Sequence, residues 1–218
     1  MNRRTLIIVT AVVAVGLFAI GGLLYSPTSK EVAVTKPVSN EAPLVRPHSP
    51  VFGAKDAPVT IVEFFDPACE ACRAFHPVVK KILSEHDGDV RVVLRYTPFH
   101  GEASEQAIRV LEAARMQGVF EPVLEALLEF QPRWASHGAP APGLILAIAE
   151  QAGLNADNAQ TQMMAPQTVG VLNQDRADVE AVGVRQTPTF FVNGKPLDPF
   201  GADELRALVA AEVSANGS

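Results

Sequence analysis

An apolar run, Val59-Thr60-Ile61-Val62-Glu63-Phe64-Phe65, stops four residues short of the pair Cys69-Glu70-Ala71-Cys72, and a helical pattern starts at once behind it. The run is short, β-branched and aromatic, which predicts a central strand covered on both faces. It carries one acid. Glu63 is therefore expected in the core, where loss of water raises a carboxyl pKa. Beyond Cys69, Phe75, Val78, Val79, Ile82 and Leu83 recur at helical spacing and make one buried stripe. Pro77 lies inside that helix, lacks a backbone donor, and predicts a kink. Asp87-Gly88-Asp89 closes the helix and Val90-Arg91-Val92-Val93-Leu94-Arg95-Tyr96 supplies a second strand. The result is a strand–helix–strand unit with both cysteines at its first turn.

These two are the only cysteines of the chain. A bridge across so small a loop constrains the unfolded chain little, so reactivity explains the pair better than architecture does. At a helix N-terminus, free N–H groups and the helix dipole favour a thiolate. A thiolate attacks disulfides, and a second cysteine one turn along can resolve the mixed disulfide. In such a setting C-x-x-C reads as a redox centre.

Met1-Asn2-Arg3-Arg4 is a basic start to an apolar stretch over residues 6–25, whose length as a helix matches a bilayer's hydrocarbon thickness of about 30 Å. Arg3 and Arg4 hold the start in the cytoplasm and send the rest across. The expectation is a signal anchor over residues 1–25 in a bacterial inner membrane, with the catalytic domain periplasmic. A cleaved signal leaving a soluble periplasmic protein is the alternative, although no A-x-A site follows Leu24. A buried soluble helix is a third. Residues 26–50 are rich in Pro, Ser, Thr, Lys and Val without a period and read as a flexible linker. Formal net charge is −6, and past residue 50 thirteen basic residues face twenty-two acidic ones, a net of −9. Such a body repels nucleic acid.

From about residue 98 to 182 the pattern is helical, and we read it as a subdomain inserted between strands. Helices are expected over residues 102–117, 122–130, 144–152, 157–164 and 169–182, with a loop over 131–143. Trp134 is expected to pack within this subdomain, and Met163-Met164 to be a core or groove pair. Thr187-Pro188-Thr189-Phe190-Phe191-Val192 resumes β structure, and Asn193-Gly194 predicts a hairpin turn. Residues 202–213 form a last helix with Leu205, Leu208, Val209 and Val213 on its buried stripe.

Taken together, residues 51–218 read as one domain that, over residues 51–213, resembles the thioredoxin superfamily, and within it the DsbA-like thiol–disulfide oxidoreductases. The likeness rests on Cys69-x-x-Cys72 behind a core strand, on Glu63 six residues before it, on Pro77 five residues after it, and on Thr187-Pro188-Thr189 before the hairpin. The helical insertion separates DsbA-like members from plain thioredoxin. The resemblance implies a thioredoxin fold, an α/β architecture, with that insertion. It implies Cys69 as an exposed nucleophile, Cys72 as the more buried resolving cysteine, and Glu63 beneath Cys72 moving its proton. It further implies a cis Pro188 against the pair and a Thr187 whose backbone pairs with an extended substrate. No cofactor beyond the Cys69–Cys72 disulfide is implied. Partners would be client proteins with thiols or disulfides and a membrane redox partner, either a quinone-linked oxidase or a transmembrane electron donor. Oxidase, reductase and isomerase directions stay open. No dimerisation element stands out, and a monomer is expected.

One departure concerns redox tuning. Strongly oxidising relatives place Pro-His between the cysteines; here Glu70 sets a carboxylate beside Cys69, and Ala71 offers no side-chain hydrogen bond. A higher Cys69 pKa and a less oxidising centre than in Pro-His relatives are expected. Two other classes compete. Cys69, Cys72 and His76 give C-x-x-C-x-x-x-H, a soft donor set that suits copper or zinc delivery, though a closed zinc site wants a fourth ligand and none lies nearby. His76 otherwise reads as a helix-surface residue, and His48, His86, His100 and His137 show no metal spacing. A redox-inert adaptor for extended peptides is the last alternative, and both retained cysteines argue against it. Haem attachment fails, because Arg73 stands where a histidine is required.

Overall fold

The computed structural model describes residues 44–217. The signal-anchor expectation falls on residues outside these. Among the described residues no helix is long and apolar enough to cross a membrane.

The apolar run becomes β2 (Val59–Phe65), the middle of five strands in the order β1-β3-β2-β4-β5. β3 (Val90–Tyr96) runs parallel to it, with Glu63 opposite Leu94. β4 (Thr189–Val192) runs antiparallel on the other side, with Glu63 opposite Phe190. β1 (Val51–Gly53) adds to the outer edge of β3, and β5 (Lys195–Pro196) to that of β4. β1 was not expected, since three residues carry no readable period. Gly53 permits it: its φ is +84°, and a Cβ there would sit 2.6 Å from the Val90 carbonyl oxygen. The hairpin turn is as expected, with Asn193 and Gly194 both at positive φ.

Strand alternation assigns side chains to two faces. Val59, Ile61 and Phe65 of β2 join Val92, Leu94 and Phe190 in the larger core. α1 (Glu70–Glu85) and α8 (Ala202–Asn216) pack against this core through Val79, Ile82, Leu205 and Val209. The insertion supplies α2 (Gly101–Met116), α3 (Phe120–Glu129), α4 (Gln131–Trp134), α5 (Leu144–Gln151) and α6 (Ala156–Met163). It extends the same core. Trp134 is fully buried there, its indole N–H donating to the Leu127 carbonyl at 2.9 Å. Gln131–Trp134, expected as part of a loop, is instead a helical turn that opens on Gln131-Pro132, with proline at a position where its missing N–H costs nothing. On the opposite face Val62, Phe64, Val93 and Phe191 pack under α7 (Pro166–Val182).

The linker expectation needs correction where it overlaps the described residues. Residues 44–50 are packed on the domain. Leu44 enters the second core, and Arg46 grips Asp178 through two hydrogen bonds of 2.7 and 2.8 Å. The His48 imidazole lies 2.7 Å from Asp175. Those partners stand over a hundred residues downstream, where local composition cannot register them. Both aspartates also take the guanidinium of Arg95, which is wholly buried at the end of β3, at 2.8 Å from Asp175 and 2.5 Å from Asp178. Burial pushes the Asp178 carboxyl up, but hydrogen bonds from Arg46, Arg95 and Gln174 outweigh it and hold it below the usual carboxylate range.

Removing one member of such a buried cluster strands charge in the core. Asp175→Ala is expected to lower stability by about 3 kcal/mol in urea unfolding, and a loss under about 1 kcal/mol would show that the cluster is not structural.

Candidate active site

Glu63 faces the larger core near the C-terminal end of β2. It is 2 % exposed, and its Oε1 has no hydrogen-bond partner. Burial, aided by the negative charge of Cys69, pushes its carboxyl up to about 8. It lines a cavity of about 430 Å³ whose outer lining includes His76, Lys80 and Glu125. The residue thus adjoins a cavity whose lining mixes apolar side chains with polar ones.

β2 ends at Phe65, and the next residue organises the turn. The Asp66 carboxylate accepts from the Ala68 amide at 2.9 Å, and the Asp66 carbonyl accepts from the Cys69 amide at 3.0 Å. This Asx-type turn brings Cys69 to the head of α1, where it is the N-cap residue. Cys72, one turn on, is fully buried, and its sulfur accepts from the Asp66 amide at 3.4 Å. Cys69 is buried as well, only 7 % exposed, so the expected exposed thiol is corrected to one that is merely the more accessible of the two. The cover comes from the loop before β4. The Cys69 thiol donates to the Thr187 carbonyl at 3.2 Å, and the Thr187–Pro188 peptide is cis.

Both cysteines are free, and their environments drive them apart. The Cys69 thiol is pushed down to about 5, chiefly because its ionised sulfur accepts a hydrogen bond from the Cys72 thiol. Burial opposes this, while Thr187 and the amides of Cys72 and Ala71 assist. Ala71 thus contributes through its backbone what its side chain cannot. Burial, the hydrogen bond to Cys69 and the negative charges of Glu63 and Cys69 push Cys72 well above the ordinary thiol range.

Three residues that sequence reasoning passed over belong to this site. Asp66 is the first; the string Asp66-Pro67 behind a strand was its only signal. Gln131 is the second. It is buried at the start of α4, donates to the carbonyls of Pro67 and Cys69 at 2.8 and 2.9 Å, and accepts from Arg73 at 3.0 Å. No local pattern marks it. His100 is the third, with its Nδ1 2.7 Å from Asp66 Oδ2. His76, in contrast, turns from the cysteines to Glu125, 3.0 Å away, where Lys80 also pairs. Among the described residues no group of three or more His, Cys, Asp or Glu is arranged to hold a metal ion.

A family model described as Thioredoxin matches residues 46–211. The chain belongs to the thioredoxin family. A solved thioredoxin-like oxidoreductase from Silicibacter pomeroyi shares 31 % identity at a TM-score of 0.67, over 79 % of this chain and 95 % of that one. Oxidised BdbD from Bacillus subtilis shares 27 % identity at a TM-score of 0.68, over 76 % and 93 % of the two chains. The DsbA-like resemblance read from the sequence holds. Among curated relatives, the Na(+)/H(+) antiporter NhaA 3 of Salinispora tropica is 33 % identical over 77 % of this chain. This chain spans about a quarter of the length of that relative and of the NhaA antiporters of Salinispora arenicola and Herminiimonas arsenicoxydans.

The raised Glu63 pKa has a sign. Between the ordinary carboxyl pKa of 4.5 and about 8 the folded protein holds a proton that the unfolded chain has lost, so stability falls as pH rises through this window. For the reduced protein, Glu63→Gln is expected to gain about 2–4 kcal/mol relative to wild type between pH 4 and pH 8.5, read from urea midpoints. Parallel pH profiles for the two proteins would show that Glu63 keeps its charge when folded.

Proposed function

We propose that this chain is an extracytoplasmic thiol–disulfide oxidoreductase of the DsbA-like kind, acting on client proteins through Cys69 and Cys72. The observation that carries the reading is the divergence of two thiols one helical turn apart. Cys69 ionises near pH 5, while its neighbour resists ionisation. One sulfur is thus ready to attack or leave, and the other is held as a thiol until the first is engaged.

In the oxidising direction a client thiolate attacks Cys69 of the disulfide. The Cys69–Cys72 bond breaks, a client–Cys69 bond forms, and Cys72 departs as a thiolate. Glu63, protonated up to about pH 8, supplies a proton to Cys72 and recovers one through the cavity it lines. A second client thiolate then attacks the client sulfur bound to Cys69 and releases the Cys69 thiolate. The client loses two electrons and the cysteine pair gains them. In this reading Thr187 offers its backbone to an extended client, as one more strand would, and Pro188 keeps that backbone against Cys69. Gln131 fixes the carbonyl of Cys69 and so the direction in which its sulfur faces.

Thiolate stabilisation favours the reduced form, which makes the centre a donor of disulfides. Reoxidation then falls to a membrane redox partner of the quinone-linked class; a transmembrane electron donor would serve the opposite direction. Glu70 tempers the thiolate relative to Pro-His relatives. Residues 6–25 and the arginines before them support residence on the far side of a bacterial inner membrane.

Equilibrating the full chain with glutathione buffers tests the direction. The expected potential lies between the values of about −270 mV for thioredoxin and about −120 mV for DsbA. A value at or below the thioredoxin figure would reverse the direction. In parallel, Cys72→Ser should accumulate mixed disulfides with a disulfide-bearing client, and Cys69→Ser none. Absence of any redox equilibrium would sink the whole reading.

A further inference from the structure

The dipeptide between the cysteines carries a negative charge and no positive one. The structure brings imidazoles to that end of α1 from two distant places. His100, immediately before α2, places Nδ1 2.7 Å from Asp66 Oδ2. Its position is over-determined. The Asp66 side chain is wholly buried, and besides the imidazole it accepts from the amides of Ala68, Phe99 and His100 and from the Ser104 hydroxyl. Its own backbone contacts both cysteines, through the Cys69 amide and the Cys72 sulfur. His137, from the stretch between α4 and α5, sets its ring 5.8 Å from that of His100 and its Nε2 4.0 Å from Glu70 Oε1. Asp66, His100, His137 and Glu70 therefore form a continuous row across the N-terminal end of α1.

We propose that Asp66 and His100 form a fixed carboxylate–imidazolium pair that supplies, from the head of α2, the positive charge that the Cys69 thiolate lacks within its own motif. His100 is thus a positioning residue for the exchange reaction, and the inference rests on the redox reading above.

The charges facing this imidazole decide the sign. From β2's end comes Asp66, from α1 come Cys69 and Glu70, and from the stretch beyond α4 comes the imidazole of His137. The hydrogen bond to Asp66 raises the His100 pKa above its ordinary 6.5; partial burial opposes, and the charges of Asp66, Cys69 and Glu70 add to the rise. Without the imidazolium, two carboxylates flank the thiolate uncompensated. Coupling between sites is reciprocal, so whatever Cys69 does for the His100 proton, His100 does for the Cys69 thiolate. The imidazole is about a third exposed, so solvent and salt weaken the coupling. A shift of roughly half to one pKa unit in Cys69 follows. At neutral pH that is about a three- to tenfold change in the glutathione equilibrium, because each unit is tenfold in the stability of the thiolate.

The experiment is done first on the unaltered full chain. NMR titration of His100 in the oxidised and reduced protein is expected to give a higher pKa in the reduced one, by about half a unit or more. The same pKa in both redox states would overturn the proposal, whatever any variant does. His100→Gln keeps a donor for Asp66 but no charge, and His100→Lys keeps the charge. In thiolate absorbance titrations at low salt, the Gln variant should raise the Cys69 pKa by that same amount and the Lys variant should recover part of it. The effect of the Gln variant on the glutathione equilibrium should fade as pH rises past the His100 pKa and as salt is added. A Gln variant with the wild-type Cys69 pKa at low salt would also overturn the proposal. Failure of the redox reading looks different: the cysteine pair would show no equilibrium with glutathione, while coupling between His100 and an ionised Cys69 would still be measurable in the reduced protein.

Discussion

The buried carboxylate of Asp66 is the joint on which this structure turns. Its two oxygens take hydrogen bonds from the turn before α1 and from the first residues leading into α2. A carboxylate removed from water must have such donors or lose its charge. Satisfying it ties the end of the central strand to the two helices that flank the cysteines. The placement of Cys69 at a helix head, and the sulfur contact that holds Cys72, both follow from how the chain leaves β2.

Three residues earlier, on the strand that Asp66 follows, Glu63 shows the opposite choice. Its Oε1 is buried without a protein partner, and the carboxyl is kept protonated at neutral pH instead. Two acids on one strand end thus divide the work. Asp66 is saturated with donors and anchors the turn, whereas Glu63 is starved of them and can exchange a proton. Position in the sheet decides which is which. Glu63 points into the apolar face between neighbouring strands, and Asp66 has left the sheet for a turn rich in free amides.

Much of the fold was legible because its cues are local. The strand β2, the stripe of α1, the glycine-asparagine turn and the boundaries of the insertion all rest on period or turn chemistry within a dozen residues. Cys69, Cys72, Glu63, Thr187 and Pro188 were all named beforehand, and the structure brings these together. What was missed depends on partners far along the chain. Gln131 reaches the cysteine turn from more than sixty positions away, and His100 matters only because Asp66 is where it is. The strap at residues 44–50 is the same case. Its proline-rich composition says linker, and only the aspartates of α7 say otherwise. The low exposure of Cys69 likewise comes from a loop more than a hundred residues downstream.

That strap also belongs to the folding unit. A fragment cut at residue 51, the edge that strand and helix patterns suggest, would leave the niche of Leu44 open above Val62, Phe64 and Phe191. It would also deprive Asp178 and Asp175 of Arg46 and His48, leaving Arg95 to answer two buried carboxylates. A piece that keeps its charges balanced and its second core closed therefore has to include residues 44–50, and Val51 is too late a place to begin it.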